Sequence, residues 1–384
     1  MKLKLKKNSE KRLNYGHLWV FSNELEEIPK YEAGSVVEVI DYYGNSFGFG
    51  FYNPNSLISI RLLMTDKMPD LEFYKIRIQN ALNLRLRVYA NENSYRLIFG
   101  ESDSLSGLII DKYEDYFSFQ YLSAGIEKQK DLILKSILEL FPNTKGIIEK
   151  NNSQLRKYEG LELIENIIFG SIPDLIEISE NNIKYNISLK EGQKTGYYLD
   201  QKENRLLIKK FVKDLSILDC FTNQGSFAFN AALAGAKNVF GIDSSNDAIE
   251  KAKINALVNG FQNIQFESHE VMEFLQNTQD KWDMIILDPP AFAKSKKAVP
   301  TALKGYAKLN RLAMNKLNKG GFLVSSSCSG LITEDVFLNL ITYEAAKLNK
   351  NIKLLFRGTQ AADHPIYLPM PETKYLKFFI FQVD

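Results

Sequence analysis

Cysteine and histidine are scarce in this 384-residue chain, which has two cysteines and three histidines. Two cysteines cannot build the disulfide framework of a small secreted domain, so we expect a reducing, cytoplasmic location. His17, His269 and His364 lack the spacing of metal ligands, which argues against a metal site. No apolar run approaches the ~18 residues that a membrane helix needs, so no membrane partner is expected.

The charge is nearly balanced, with a formal net charge of +2, but its distribution is uneven. Residues 291–320 contain eight Lys and Arg side chains and no Asp or Glu. A basic segment on a near-neutral chain favours a polyanion site, although such a run is also typical of a solvated helix face. The side chains that we expect to contact such a polyanion are Lys294, Lys296, Lys297 and Arg311.

The length predicts more than one domain, and the pattern of elements divides the chain into three parts. Residues 1–67 contain short β-rich segments typical of a small β-barrel, and residues 71–180 mix helices and strands as in a small α+β domain. In residues 181–384, apolar strands alternate with helices. This alternation predicts a Rossmann-like, mostly parallel sheet with helices on both faces.

Two predicted strands of this last part end in an aspartate. Asp219 precedes a turn that contains Gly225, and Asp243 ends the next strand. Because ligands bind beyond the carboxyl ends of parallel strands, these residues favour a nucleoside-type cofactor over a plain crossover with a capping aspartate. Glu270 and the amide of Val271 follow the third strand and are expected to contact an adenine edge.

A third strand end carries the motif Asp288-Pro289-Pro290-Ala-Phe292. Paired prolines stiffen a loop, an aspartate can hydrogen-bond the edge of a base, and an aromatic ring can stack on its face. The alternative interpretation is a stiff turn without a ligand. We therefore predict a base-binding loop formed by Asp288, Pro289, Pro290 and Phe292.

Cys328 follows a fourth strand within the polar run Ser325-Ser-Ser-Cys-Ser329. A thiolate that adds to carbon 6 of cytosine makes carbon 5 nucleophilic enough to attack a methyl sulfonium. The polar neighbours favour this role for Cys328 over a buried apolar position. We assign the buried position to Cys220, which follows Asp219.

Several segments resemble the PUA-containing class I methyltransferases of the RlmI-like type, which methylate carbon 5 of cytosine in 23S ribosomal RNA. The resemblance covers nearly the whole chain. It is carried by Arg12–Ser22, Gly100–Asp103, Gly107–Asp111, Gly192–Arg205, Asp288–Ser295, Ser327–Ser329 and Asp363–Pro365.

The resemblance implies S-adenosylmethionine as the cofactor and ribosomal RNA, namely 23S, as the partner. It also implies a PUA-like domain at 1–67, a central domain at 71–180 and a seven-stranded methyltransferase domain at 181–384. Cys328 would be the nucleophile with Asp288 assisting it, and no second cysteine stands beside the Pro-Pro segment. A homodimer is among the states that the sequence allows. The expected cofactor pocket comprises Asp219, Phe221, Thr222, Gly225, Asp243, Glu270, Val271 and Asp288.

Two alternative functions stay open at this point. An enzyme that methylates an exocyclic amine of adenine or guanine also uses an acid-Pro-Pro-aromatic motif and needs no thiol. In this chain, however, Ala291 separates the prolines from Phe292, and Cys328 would then have no role. The second alternative is a non-catalytic RNA-binding protein that has kept the fold.

Overall fold

The computed structural model describes residues 1–192 and 195–384. Gln193 and Lys194, which belong to the Gly192–Arg205 segment of the family resemblance, lie outside the described residues. The described chain forms two compact units, each assembled from separate stretches of sequence. Unit 1 comprises Met1–Ile178, Ile187–Leu199 and Ala362–Thr373, and unit 2 comprises Ser179–Asn186, Asp200–Ala361 and Lys374–Asp384.

The first part of unit 1 is a five-stranded sheet in the order β1-β3-β4-β5-β2. Its neighbours pair antiparallel except for β1 and β3, which are parallel. Alternating apolar residues such as Val37 and Val39 point into a buried cluster. The elements are β1 (Lys2–Lys4), α1 (Lys11–Asn14), β2 (Trp19–Phe21), β3 (Ser35–Ile40), β4 (Ser46–Tyr52) and β5 (Ile58–Leu62).

The second part of unit 1 is a five-stranded sheet in the order β10-β9-β8-β7-β6 with helices packed against it. The Asp70 carboxylate accepts from the amide of Phe73 and thereby caps the first helix. The elements are α2 (Leu71–Val88), β6 (Ser94–Phe99), β7 (Leu108–Tyr113), β8 (Tyr116–Tyr121), α3 (Ala124–Glu127), α4 (Lys130–Leu140), β9 (Gly146–Asn151), α5 (Leu155–Tyr158) and β10 (Ile164–Gly170). A two-stranded sheet follows, formed by β11 (Ile176–Glu180) and β12 (Ile183–Ile187).

Unit 2 is built around a seven-stranded sheet in the order β15-β14-β13-β16-β17-β19-β18. The first five strands of that order are parallel, whereas β19 pairs antiparallel with both β17 and β18. The elements are α6 (Lys202–Ile208), β13 (Ser216–Cys220), α7 (Ser226–Leu233), β14 (Asn238–Asp243), α8 (Asn246–Val258), β15 (Ile264–Ser268), α9 (Val271–Asn277), β16 (Trp282–Leu287), α10 (Val299–Asn315), β17 (Leu317–Ser327), α11 (Glu334–Lys347), β18 (Ile352–Gly358) and β19 (Lys377–Val383).

The order of these strands creates a switch point between β13 and β16. From β13 the chain proceeds to β14 and β15 on one side, and it then returns to β16 and β17 on the other. Crevices beyond the carboxyl ends of strands form at such a reversal, because the loops diverge to opposite sides. The predicted Rossmann-like, seven-stranded, mostly parallel sheet is confirmed. Its central strand β16 is continuously apolar from Met284 to Leu287, as expected for a strand covered on both faces.

Two local features of unit 2 shape the edges of its elements. The strand before Cys328, β17, begins at Leu317 and has a register irregularity opposite Trp282 and Met284. Ser245 caps α8, because its hydroxyl accepts from the amide of Ala248.

Candidate active site

Asp219 lies next to the switch point and is buried, with 1% of its surface exposed. Its Oδ2 accepts from the hydroxyl of Thr222 at 2.5 Å and from the amide of Ala228 at 3.1 Å. Within the described chain, Oδ1 has no hydrogen-bond partner. Burial raises the pKa of Asp219 to about 7, against the hydrogen bond from Thr222, and Asp288 adds to the rise. A buried carboxylate oxygen without a partner indicates a missing donor or cation.

The turn after β13 has a strained backbone. Phe221 and Asn223 have positive φ angles of 62° and 50°, which non-glycine residues rarely adopt. Gly225 has a φ of 84°, and a Cβ there would lie 2.7 Å from Cζ of Phe229 and 2.8 Å from Cζ of Phe266. Gly225 is therefore required for two reasons: its φ is positive, and a side chain there would collide with two aromatic rings. Strain of this kind is concentrated at ligand sites.

Asp243 ends β14 with both carboxylate oxygens hydrogen-bonded to the protein. Oδ2 accepts from the amide of Asn223 and Oδ1 accepts from the amide of Ser245, each at 3.0 Å. These two bonds fix the orientation of the carboxylate, and each oxygen keeps a second lone pair for another donor. Asp219 and Asp243 thus lie on the adjacent parallel strands β13 and β14.

Glu270 and Val271 occupy the start of α9. Glu270 is exposed and is the residue before the first helical turn, and Val271 is buried. Glu270 also lines an open surface cavity of about 530 Å³ together with His269 and Phe274. None of the predicted aspartates lines that cavity. His269 hydrogen-bonds Glu267 at 3.0 Å, which agrees with a surface role for this histidine.

Asp288 directly follows β16 and faces the turn after β13, since its amide donates to the carbonyl of Cys220. Its Oδ1 accepts from the side-chain amide of Gln201 at 2.8 Å and from the hydroxyl of Ser326. Part of Asp288 stays exposed, yet burial by the surrounding protein raises the pKa of its carboxyl to about 6. The hydrogen bonds from Ser326 and Gln201 oppose this rise. Near neutral pH, Asp288 can therefore exchange a proton.

The residues after Asp288 form the predicted loop. Pro289 is buried and Pro290 is exposed. The half-buried ring of Phe292 lies 4.5 Å from the ring of Tyr306, at an angle of 32°. One face of Phe292 is therefore covered by α10, and a stacking role for this residue would use the remaining surface.

Cys328 follows β17 and is partly exposed, whereas Cys220 is fully buried. Burial raises the pKa of Cys220 well above its ordinary value, so this thiol stays protonated and inert. The Sγ of Cys328 lies 3.9 Å from the carbonyl oxygen of Pro289, in the loop that Asp288 begins. The fold therefore brings the thiol and the Asp288 loop together on the neighbouring strands β16 and β17.

The basic residues of this region differ in their surroundings. Lys294, Lys296 and Lys297 are exposed, and in the described chain none of them has a carboxylate partner. Arg311 lies in α10 and donates to Glu344 of α11 at 3.1 Å. Glu344 lies outside the acid-free run 291–320, and the packing of α10 against α11 brings it next to Arg311. Three lysines thus form an unpaired basic patch, and Arg311 already has a counter-ion.

Sequence reasoning missed four side chains of the site. Gln201 and Ser326 hold Asp288, Tyr306 donates or accepts at Ser329, and the Nζ of Lys377 donates to the carbonyl of Ser329 at 2.6 Å. Gln201 stands within the family-like Gly192–Arg205 segment, but nothing in that segment indicated its partner. Lys377 is the single charged residue in the mostly apolar strand β19, and such a position in the sequence indicates a buried charge with a specific role.

None of the helices in the described residues has the length and apolar character of a membrane span. Within residues 1–192 and 195–384, no group of three or more His, Cys, Asp or Glu side chains could hold a metal ion. The cytoplasmic location and the homodimer stay predictions.

Comparison with known proteins agrees with this geometry. The PUA-like domain family matches residues 3–65, and a methyltransferase domain family matches residues 211–368. A ribosomal RNA large subunit methyltransferase I from Klebsiella pneumoniae is 36% identical over 393 residues, covering 100% of this chain and 98% of the relative. A protein of the same name from Tolumonas auensis is 39% identical, covering 97% of each chain. The chain belongs to this family.

Solved structures support the same fold for this family member. A SAM-dependent methyltransferase from Streptococcus mutans has a TM-score of 0.86 at 22% identity, and a protein crystallised with SAH has a TM-score of 0.87 at 22% identity. Both comparisons cover 100% of each chain. The protein is a methyltransferase that uses S-adenosylmethionine. The family domains leave residues 66–210 unassigned, and the division into three domains stays a prediction.

The residues at the switch point fit this cofactor. The free Oδ1 of Asp219 suits the cationic amino group of its methionine end, and the oriented carboxylate of Asp243 suits the two ribose hydroxyls. S-adenosylmethionine carries an electrophilic methyl group on a sulfonium.

Proposed function

We propose that this protein methylates carbon 5 of a cytosine in large-subunit ribosomal RNA, with Cys328 as the nucleophile. The names of its relatives support the RNA substrate and the transfer of a methyl group. The observation that supports cytosine is that the partly exposed thiol of Cys328 and the carboxyl of Asp288 follow adjacent strands. The pKa of that carboxyl, about 6, allows it to exchange a proton. Methylation of an exocyclic amine needs no thiol, whereas carbon 5 of cytosine needs one.

Asp288 activates the ring in this proposal. Protonated Asp288 donates a hydrogen bond to nitrogen 3 of the cytosine and so draws electrons from carbon 6. Its pKa of about 6 allows the proton to be present in the complex and lost afterwards. Gln201 and Ser326 both donate to Oδ1, which leaves Oδ2 as the oxygen that faces the base.

Cys328 forms the covalent bond. Its thiolate adds to carbon 6, and the electron pair of the carbon 5–carbon 6 double bond then forms a bond from carbon 5 to the methyl group. The bond from that methyl group to the sulfonium sulfur breaks in the same step, and a neutral thioether leaves. Afterwards a base takes the proton from carbon 5, the double bond forms again, and the bond between Sγ and carbon 6 breaks. Release occurs without a second thiol, because Cys220 is buried under the turn and is protonated.

The basic patch positions the RNA. The patch is defined as Lys294, Lys296 and Lys297, which follow the Asp288 loop and are exposed. Lysines beside a base pocket hold the phosphates that flank a base turned out of its stack. The PUA-like domain is a second candidate surface for RNA.

The decisive experiment identifies the methylated nucleoside. Purified protein is incubated with S-adenosylmethionine and large-subunit RNA from cells that lack the gene, and the digested RNA is then analysed by mass spectrometry. We expect 5-methylcytosine with the unaltered protein and none with Cys328→Ala. Methylated adenine or guanine from both proteins would contradict the proposal and support amine methylation. An absence of any product, despite cofactor binding, would support the non-catalytic alternative.

A further inference from the structure

Lys377 is a buried cation beside the Cys328 turn. It is the first residue of β19, it pairs in register with Ser327 of β17, and 4% of its surface is exposed. Its Nζ donates to the carbonyl of Ser329 at 2.6 Å and to the carbonyl of Tyr375 at 2.9 Å. The ammonium therefore touches the residue that follows Cys328, and an ammonium has three hydrogens to donate.

The ammonium has no carboxylate partner among the residues that the structure describes. Its Nζ donates to two backbone carbonyls, and these carry only partial charge. Burial lowers the pKa of Lys377 to about 8, and negative charge at Cys328 acts in the opposite direction. Burying a cation without an anion is costly, so this arrangement indicates that an anion forms nearby during function.

Other titratable groups face the same turn. Tyr306 of α10 binds the hydroxyls of Ser327 and Ser329, and burial raises its pKa, so that it stays neutral. Asp288 approaches through Ser326 and is itself negative when ionised. Lys374 and Glu334 act on Lys377 from nearby, but they are paired with each other at 3.0 Å. Of these groups, Lys377 is the one cation that forms no ion pair.

We propose that Lys377 is a positioning residue, whose charge stabilises the anionic sulfur of Cys328 and whose hydrogen bond to Ser329 fixes the turn that presents it. The inference rests on the proposed function for the role of Cys328 as nucleophile. Lys377 thereby has the role that a protonated histidine usually has beside a cysteine nucleophile, because a neighbouring cation favours the thiolate.

The test measures the thiolate directly and needs no RNA. In a Cys220→Ser background, Cys328 is the only cysteine of the chain. Its thiolate displaces iodide from iodoacetamide, forming a carbon–sulfur bond, and intact-mass spectrometry follows the rate between pH 6 and pH 10. Lys377→Met removes both the charge and the donor, Lys377→Gln keeps a donor, and Lys377→Arg keeps the charge.

We expect the pH midpoint of alkylation to rise by about 1–2 units in Lys377→Met and in Lys377→Gln. Below the midpoint, alkylation should slow roughly tenfold for each unit. Lys377→Arg should stay close to the parent protein. The exposed neighbour Lys374→Met is the matched control and should also leave the midpoint unchanged.

Equal midpoints in the parent, Lys377→Met and Lys377→Gln would overturn the role of the charge. If Lys377→Met does not fold, Lys377→Gln against Lys377→Arg makes the same comparison, since the two differ in charge and both can donate. The result of this alkylation test is independent of the test that identifies the methylated nucleoside. A shifted midpoint with no 5-methylcytosine in the RNA would leave this inference standing and refute the reaction.

Discussion

Gln201 donates its side-chain amide to Asp288, with 2.8 Å between Nε2 and Oδ1. Asn204 donates to Oε1 of Gln201 at 2.6 Å and to the carbonyl of Thr359 at 3.0 Å. The oxygen end of the Gln201 amide is thereby held by Asn204, and its nitrogen end faces Asp288. This chain of hydrogen bonds fixes the orientation of the carboxyl group at the switch point, as a preorganised site requires.

Removing that hydrogen bond should change the pH profile as well as the rate. Gln201 lowers the pKa of Asp288, so Gln201→Leu should raise this pKa above about 6. Methyl transfer that depends on protonated Asp288 should then persist to higher pH, while kcat/KM falls by roughly 10-fold because the carboxyl loses one of the hydrogen bonds that orient it. Steady-state kinetics from pH 5 to pH 9 provide the measurement. The exposed Gln279→Leu is the control, and an unmoved alkaline limb in Gln201→Leu would contradict the role.

Asp219 should make the cofactor-free protein less stable as the pH rises. Its pKa in the folded protein is about 7, well above the value of an unfolded aspartate, so the folded state binds the proton more tightly. The stabilisation is complete below the unfolded pKa and is lost as the pH rises through about 7. Asp288, with a pKa of about 6, acts in the same direction.

Asp219→Asn should therefore flatten this pH dependence. Between pH 5 and pH 7 we expect the parent to lose about 2–3 kcal/mol that the variant keeps. Urea unfolding at several pH values measures the difference, with the exposed Asp247→Asn as control. The same variant should bind S-adenosylmethionine more weakly. Parallel pH curves for Asp219→Asn and its parent would show that the raised pKa is wrong.

Asp243 should hold the ribose of the cofactor. Asp243→Ala removes a carboxylate that two backbone amides orient, and cofactor binding should weaken by about 1.5–3 kcal/mol. Calorimetry with S-adenosylmethionine measures this loss. Asp247→Ala, in the first turn of the following helix, is a suitable control. Unchanged affinity in Asp243→Ala would remove this residue from the cofactor site.

Much of the site could be predicted because a parallel sheet brings strand ends together. Asp219 and Asp243 lie at the ends of β13 and β14, and Asp288 and Cys328 directly follow β16 and β17. Their common edge follows from the alternation of helices and strands. Gln201 could not be assigned in the same way. It reaches Asp288 from a segment 87 residues earlier in the chain, and no periodicity encodes that contact.

Charge patterns were less reliable than strand ends, for a physical reason. The run from 291 to 320 contains no acid, yet Arg311 pairs with Glu344 on the neighbouring helix. Among the residues that the structure describes, Lys377 has no carboxylate partner, and the nearby Glu334 is paired with Lys374. Tertiary packing determines which charged side chains form ion pairs, so a segment of sequence cannot show which of them lack a counter-ion.

The basic patch should determine the salt dependence of RNA binding. Replacing Lys294, Lys296 and Lys297 with glutamine removes up to three phosphate contacts, so the log–log slope against salt should flatten by about 2–3. Filter binding at several salt concentrations measures the slope. A triple variant of Lys251, Lys253 and Lys281 serves as the control, because Lys251 and Lys253 lie in α8 and Lys281 lies before β16, at the end of that strand opposite to Asp288. Equal slopes in the two triple variants would indicate a solvated surface instead of a docking site.

Covalent trapping tests the chemistry itself. RNA that contains 5-fluorocytosine should form a stable adduct with the protein in the presence of S-adenosylmethionine, because fluorine at carbon 5 cannot leave as a proton and the bond from Sγ to carbon 6 then persists. Denaturing electrophoresis should show a shifted band with the parent and with Cys220→Ser, since Cys220 is buried and protonated. Cys328→Ser should give no such band and no turnover while retaining cofactor binding, because a serine hydroxyl stays protonated near neutral pH. A shifted band with Cys328→Ser, or 5-methylcytosine formed by it at the parent rate, would show that the nucleophile lies elsewhere.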